Sequence, residues 1–336
     1  MNALHPKVLK QNAARCLSSS QPKDRILMIF CGILFVLCAL LTAASYLLDS
    51  MMQNAGGLGA VGKRTMIQTF QHLLPIVNML ATMILELGLW NAMLRISRNQ
   101  YVSPHSLKMG LVRFFPWLRC VLLQSAALVM ITFALMNVAA IIFFALPASR
   151  EALELTVPLA MKYTDSAALM EAMMADEVLL YSLADALIPM YIILFVLVLA
   201  VYIPISYRLR VANLIILDNP TAGAFRAVIG SIRLTKRNWK HYLRLDLSFW
   251  WYYVLLGLSM ALGYLDLLLP LVGIRLPMSA TAGSILTYGL YLVSQIAIFY
   301  FLRPKVQVST AIIYDTLLPK PEPPKNAVVL GNIFQM

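Results

Sequence analysis

The sequence predicts an all-α polytopic transmembrane helix bundle of about six crossings with cytoplasmic amphipathic interfacial helices, and three observations carry that prediction. The chain of 336 residues is 60% apolar and only 12% charged, with a mean hydropathy of +0.76. A soluble domain is nearer half apolar and a quarter charged. Six apolar runs are each long enough to cross a hydrocarbon core of about 30 Å. The 27 Lys and Arg crowd one side of those runs. Unbroken apolar runs exclude the alternating pattern of a membrane β-barrel, and helices keep their backbone groups paired inside lipid.

The expected crossings are 26–48, 70–94, 118–146, 187–207, 245–265 and 285–302, preceded by a basic N-terminal helix in 1–25 and followed by a cytoplasmic tail in 303–336. The third run is longer than a bilayer needs, so Arg119 near its start is placed among the head groups, where its stem can snorkel. Arg25 ahead of the first run and Ala43, Ala44 and Ser45 at its end mimic a cleaved signal. The run is too long and starts too late for one, so it is read as a retained crossing. Pro75 and Pro204 fall inside the second and fourth runs and mark possible kinks.

Orientation follows from the cations. In this topology 21 Lys and Arg lie on the side of both termini and five on the other, Lys63, Arg64, Arg150, Lys162 and Arg275. The richer side is read as cytoplasmic. The long third connection carries Glu151, Glu154, Asp165, Glu171, Asp176, Glu177 and Asp185, so it is read as external, with surface helices around 151–161 and 165–183. Gly56, Gly57 and Gly59 make the first outer connection a flexible linker, and Pro319 to Pro324 make the last segment extended.

The cytoplasmic segments share a pattern. Pro6, Leu9, Lys10 and Arg15 recur at the same offsets as Pro104, Leu107, Lys108 and Arg113, each set ahead of a crossing, and Asn219-Pro220 opens a third segment. Pro suits the first helical position because its missing N–H would be unpaired there. If 219–244 is one helix, Arg226, Arg233, Arg237, Lys240 and Arg244 fall within about 40° of one line at 100° per residue. Phe225, Val228, Ile232 and Trp239 form a second line. Such a helix lies in the head-group plane, its cations over anionic lipid and Trp239, Trp250 and Trp251 at the interface. A solvated basic loop and a docking face for a partner protein are the competing readings. No nucleic-acid partner is expected.

Inside the membrane, Gln71, Asn78, Thr82 and Glu86 line one stripe of the second crossing. An intramembrane carboxylate is costly when ionised, so it marks either a proton or cation site or a polar contact between helices, with Gln124, Asn137 or Gln295 as candidate partners. Asp246, beside Arg244, is read as a first-turn cap of the fifth crossing. Cys16, Cys31, Cys38 and Cys120 show no metal-ligand spacing and sit where disulfides are not expected. His5, His72, His105 and His241 form no metal motif, and no phosphate-cradling loop or nucleophile elbow occurs. No cofactor and no enzymatic centre are expected.

Lys236-Arg237-Asn238-Trp239-Lys240, then Leu245-Asp246-Leu247-Ser248-Phe249 with Trp250 and Trp251, and later Pro304, Ala311, Tyr314, Asp315 and Leu317, resemble domain-of-unknown-function family nine-seven-five. Leu9 to Arg15 is similar to that family's N-terminal basic helix. The resemblance implies a multi-pass bacterial membrane protein of unknown activity, and it implies no catalytic residue. The expected task is that of an accessory or scaffold component contacting anionic lipid or partner proteins in the cytoplasmic membrane, with solute or ion transport through Glu86 as the alternative.

Overall fold

The computed structural model describes residues 4–20, 23–53, 60–162, 177–219, 221–265 and 280–319, and among them every regular element is helical. The Gly-rich linker, Asp165 to Asp176 of the acidic connection, Pro220, Arg275 and the segment from 320 onward lie outside the described residues. Among the described residues, five helices are long and apolar enough to cross a membrane, or six if one bent pair counts as a single span. The chain is a multi-pass membrane protein.

The contacts divide it into two units. One comprises Met1–Phe115, Leu217–Pro220 and Lys240–Met336, the other Pro116–Ile216 and Thr221–Trp239.

In the first unit, α1 (Pro6–Ser19) starts where predicted: His5 caps it, its Nδ1 accepting from the Lys7 N–H at 3.3 Å. The crossing helices are α2 (Lys23–Gln53) and α3 (Ala60–Ser97), the second passing through Pro75 without a break. The chain leaves α3 through a Schellman turn. The Gln100 N–H reaches the Arg95 carbonyl, the Asn99 N–H reaches that of Ile96, both at 3.0 Å, and Asn99 takes the left-handed φ of 54° that the motif requires.

The Pro104 segment is not a second copy of α1. It forms a five-residue 3₁₀ helix, Pro104–Lys108, and a short turn, Met109–Val112, pressed against α3. Leu9 and Leu107 are both buried, so the shared offset preserves an inward Leu. The difference is glycine: a Cβ on Gly88 would lie 2.4 Å from the Leu107 carbonyl oxygen, and one on Gly110 2.1 Å from that of Ile84. Two backbones meet there, and the Asn91 amide donates to the Ser106 carbonyl at 3.2 Å across the same contact.

The fifth crossing does not run unbroken from 245 to 265. It is a corner between α10 (Trp239–Ser248) and α11 (Trp250–Gly263), bent by 63°. α12 (Ala280–Phe301) follows the undescribed 266–279, and Pro304 ends it, since a proline ring clashes with the carbonyl one turn back. The same Pro304 then opens α13 (Arg303–Leu317), so the segment after the sixth crossing is an ordered helix through Leu317 and not simply a tail. α13 is buried on most of its circumference. Its serine and threonine hydroxyls donate within the helix, Ser309 to the Lys305 carbonyl at 2.7 Å and Thr310 to that of Val306 at 2.9 Å.

The core of this unit gathers at its basic end. Ala13 and Leu17 of α1, Ile26, Phe30 and Leu34 of α2, Leu89, Met93 and Ile96 of α3, Phe299 of α12 and Val308 of α13 form one cluster. Phe30 and Phe299 pack ring against ring at 5.7 Å.

In the second unit, α4 (Phe114–Phe144) and α5 (Ala148–Lys162) lead to α6 (Glu177–Leu197), a π-helical turn, Val198–Tyr202, and α7 (Ile203–Leu209). α5 matches the first surface helix expected in the acidic connection, whereas Leu183 already belongs to a crossing helix. Pro204 explains the π turn: without an N–H it cannot continue the regular ladder, and a wider turn absorbs the loss. α8 (Ala212–Asp218) and α9 (Ala224–Thr235) complete the second unit's described helices, with Asp218 itself assigned to the first.

α7 ends in carbonyls that no longer have helical donors, and side chains take them. Gln124 of α4 donates to the Leu209 carbonyl at 3.1 Å, while Ser231 and Thr235 of α9 donate to that of Arg208 at 2.6 and 3.1 Å. This is why α9 packs by Ala227, Ser231 and Thr235, each 0% exposed.

Candidate functional site

Three of the residue groups singled out in the sequence acquire definite surroundings. The stripe Gln71, Asn78, Thr82 and Glu86 is half-buried along α3, flanked by exposed Leu73, Val77 and Met79. Its expected partners are engaged elsewhere: Gln124 on Leu209, Asn137 on the Phe133 carbonyl at 2.7 Å and Gln295 on Ser259 at 3.1 Å. Glu86 pairs instead with Arg303, at the start of α13, whose guanidinium also lies 4.3 Å from the Phe299 ring centroid. The sequence reading lacked a cation at that depth because Arg303 was assigned to a tail. Arg303 directly follows α12, so the pair ties Glu86 of α3 to the junction of α12 and α13.

A second ion cluster, which the sequence did not flag, lies further along the same two helices. Arg98 forks onto Asp218 with Nη1–Oδ1 at 2.6 Å and Nη2–Oδ2 at 3.0 Å, and reaches Asp315 Oδ1 through Nη2 at 2.7 Å and Nε at 3.0 Å. Ser97 Oγ donates to the other Asp315 oxygen at 3.2 Å, and Tyr314 donates its hydroxyl to Asp218 at 3.0 Å. Bidentate guanidinium–carboxylate bonds are the strong, geometry-specific kind. They raise the Arg98 guanidinium further above its ordinary value, Asp218 first, against the opposing effect of burial.

The two levels are reciprocal. Twelve residues separate Glu86 from Arg98 on α3 and its exit turn, and twelve separate Arg303 from Asp315 on α13, with the signs exchanged. The helices therefore run parallel in a fixed register, held about 18 Å apart along the axis at 1.5 Å per residue. A one-turn slip in either direction would part both opposite-charge pairs and bring one of the two like-charge pairs closer.

The basic segment from 219 to 244 is not one helix. α9 ends at Thr235, a turn covers 236–238, and α10 begins at Trp239. Arg226, Arg233 and Arg237 are exposed in the second unit, and Lys240 and Arg244 are exposed on α10 in the first. Of the expected apolar line Phe225, Val228, Ile232 and Trp239, only Val228 is buried; Phe225 is 67% and Ile232 38% exposed. The docked face is the small and hydroxylic one that caps α7, so apolar and cationic side chains share the outer surface of α9.

The segment Leu245, Asp246, Leu247, Ser248, Phe249 builds the α10–α11 corner. Leu245 and Asp246 are buried, Leu247 is exposed, and the Phe249 N–H reaches both the Leu245 and Asp246 carbonyls, at 3.1 and 2.9 Å. Asp246 thus belongs to the last turn of α10, not the first turn of a crossing. The bend frees the Ser248 carbonyl, and Lys10 of α1 donates to it with its ammonium 4.2 Å from the Phe249 ring centroid. Burial pushes the Lys10 ammonium below its ordinary value. Two of the segments named for the family resemblance, Leu9 to Arg15 and Leu245 to Phe249, meet at this corner.

All four cysteines are free. Among the described residues no group of three or more His, Cys, Asp or Glu is placed to hold a metal ion. Comparison with protein-family models, curated proteins and solved structures finds no match to this chain.

Proposed function

We propose that this chain is a non-enzymatic membrane component of a bacterial cytoplasmic membrane, both termini cytoplasmic, which holds a packed helical platform against anionic lipid head groups and offers it to partner proteins. One observation carries the reading: α9 presents Arg226 and Arg233 on the same outer surface as exposed Phe225 and Ile232. A solvated basic loop keeps its large apolar side chains inward, whereas a surface lying in head groups turns both kinds outward. On the other unit, exposed Leu247 and the stacked pair Trp250 and Trp251, 3.7 Å between rings, have the same interfacial character beside Lys240 and Arg244. Membership of family nine-seven-five is part of this proposal and rests on the Leu245 to Phe249 corner. For the transport alternative, the engagement of Glu86 by Arg303 favours a structural part for that carboxylate.

The test is lipid selection by the full-length protein in nanodiscs of mixed phosphatidylglycerol and phosphatidylcholine. Replacing Arg226, Arg233 and Arg237 by Gln removes about 1 kcal/mol of lipid attraction each, so enrichment of the anionic lipid around the protein is expected to fall severalfold. Unchanged enrichment overturns the lipid reading. Labelling of single cysteines placed at Lys236 and Glu171 from opposite sides of the membrane checks the orientation independently.

A further inference from the structure

A cleft of about 890 Å³ opens at the basic end of the first unit, lined by Cys16, Ser19 and Ser20 at the end of α1, Arg25 at the start of α2, and Asn99, Gln100 and Tyr101 after α3. A smaller hollow of about 360 Å³ shares Cys16, Ser19 and Asn99 with it and adds Asn12, Arg15 and Ser97. The shared residues place the two hollows side by side around the last turn of α1, and together they form the cleft at this end of the unit. We propose that this cleft is a binding site for a phosphate ester, with Arg25 and Arg15 as its two cationic walls.

The lining has the chemistry of an anion site. It contains two guanidinium groups, three side-chain amides, the Ser20 hydroxyl and no carboxylate, while the hydroxyls of Ser19 and Ser97 already donate to the Cys16 carbonyl and to Asp315. Among the described residues neither Arg15 nor Arg25 has an ion-pair partner, in contrast to Arg98 and Arg303 in the same unit. The nearest carboxylate of the clasp, Asp315, is already occupied by Arg98 and by Ser97, so it does not compete for these cations. A guanidinium binds a phosphate through two parallel bonds, and amide and hydroxyl donors complete the remaining oxygens.

The frame of the cleft is rigid where it needs to be. Asn99 is held in the left-handed conformation by the Schellman turn, which brings Asn99, Gln100 and Tyr101 out together beside α1. Tyr101 is 81% exposed while the next residue, Val102, is fully buried in the core. An aromatic ring left out at the rim, over a floor of Ile96 and Val102, matches a ligand that carries an apolar or glycerol part beside its phosphate. Arg25 immediately precedes Ile26, the first buried residue of crossing α2, so the cleft opens at the level where the hydrocarbon run begins. That location admits a phosphate ester from a lipid head group or from a soluble compound, and the residues involved are separate from those of α9 and α10.

The experiment uses full-length protein in phosphatidylcholine nanodiscs with two probes, sn-glycerol 3-phosphate and short-chain phosphatidylglycerol. Binding is read in two ways: by titration, and by protection of Cys16 from a maleimide in a protein whose Cys31, Cys38 and Cys120 are replaced by Ser. At least one probe is expected to bind saturably and to slow Cys16 labelling. Arg25→Gln and Arg15→Gln are each expected to weaken it about tenfold, the loss of one charge-assisted hydrogen bond, with exposed Lys63→Gln as an unaffected control. Binding of glycerol phosphate assigns a soluble ligand, and binding of the lipid alone assigns a head group; either supports the site. No protection of Cys16 by either probe, or equal weakening by Lys63→Gln, overturns it. If the cysteine replacements fail to fold, titration of the two Arg variants in the native background decides alone.

Discussion

The two halves of α3 have similar apolar composition and opposite surroundings. Toward its start, Met66, Phe70, Leu73, Ile76, Val77 and Met79 are all exposed; toward its end, Leu87, Leu89, Ala92, Met93, Leu94 and Ile96 are all buried. Hydrophobicity alone does not choose between these states, because lipid solvates an apolar side chain as well as another helix does. What distinguishes the second half is that backbones meet at Gly88 and Gly110, that Asn91 bonds across the contact, and that Glu86 and Arg98 bracket it with ion pairs. Close approach and polar pairing decide where this protein is packed.

The largest effect is therefore expected from crowding the packed half. Gly110→Ala places a methyl group into the Ile84 carbonyl and should cost about 3 kcal/mol or more, read as loss of the folded fraction in detergent thermal melts. Gly62→Ala in the other half, where nothing lies within 4 Å, should be neutral or slightly stabilising. Equal effects at the two glycines would erase the contrast.

Next comes the ion clasp. Arg98→Ala leaves Asp218 and Asp315 without their cation and should destabilise by about 2 kcal/mol, an effect that the double exchange of Glu86→Arg with Arg303→Glu would not produce if the register is set by paired signs. Glu86→Gln keeps a neutral hydrogen bond to Arg303 and should cost about 1 kcal/mol, with any solute or proton flux in proteoliposomes unchanged. A lost flux would return Glu86 to the transport reading. The smallest effect is expected at the corner: Lys10→Met removes the donor to Ser248 while keeping the apolar stem, so about 1 kcal/mol is lost. Hydrogen exchange should then rise locally at Phe249 and Trp250; if it rises equally along α3, the corner and the packed half are one cooperative element.

Most of the crossings were legible because a helix that must pair all its backbone groups in lipid needs a long apolar run, and the runs at 26–48, 118–146 and 285–302 lie within or close to α2, α4 and α12. Corners were less legible. The break at Phe249 sits inside the run expected to cross at 245–265, just after Asp246 and Ser248, and its signal is a freed carbonyl answered by Lys10, more than two hundred residues away in the chain. The face by which α9 docks was misread for a similar reason: the hydrophobic line Phe225, Val228 and Ile232 lost to Ser231 and Thr235, whose value depends on the broken end of α7. Glu86 stands out in the sequence as a carboxylate that must be either protonated or partnered, but Arg303 could not be named as its partner because register between distant helices is not written in either one. The equal spacing of Glu86 to Arg98 and Arg303 to Asp315, with signs reversed, was present in the sequence and becomes a signal only once the two helices are known to be neighbours.

The sequence by itself determined that this protein crosses a membrane several times and which ends of its helices carry the cations, because both follow from the cost of placing backbone and charge in hydrocarbon. Only the tertiary structure decided which apolar residues touch protein and which face outward, which carboxylate meets which guanidinium, and where Arg15 and Arg25 line hollows with no ion-pair partner among the described residues. Those choices depend on distances between segments far apart in the chain, and local composition carries no information about such distances.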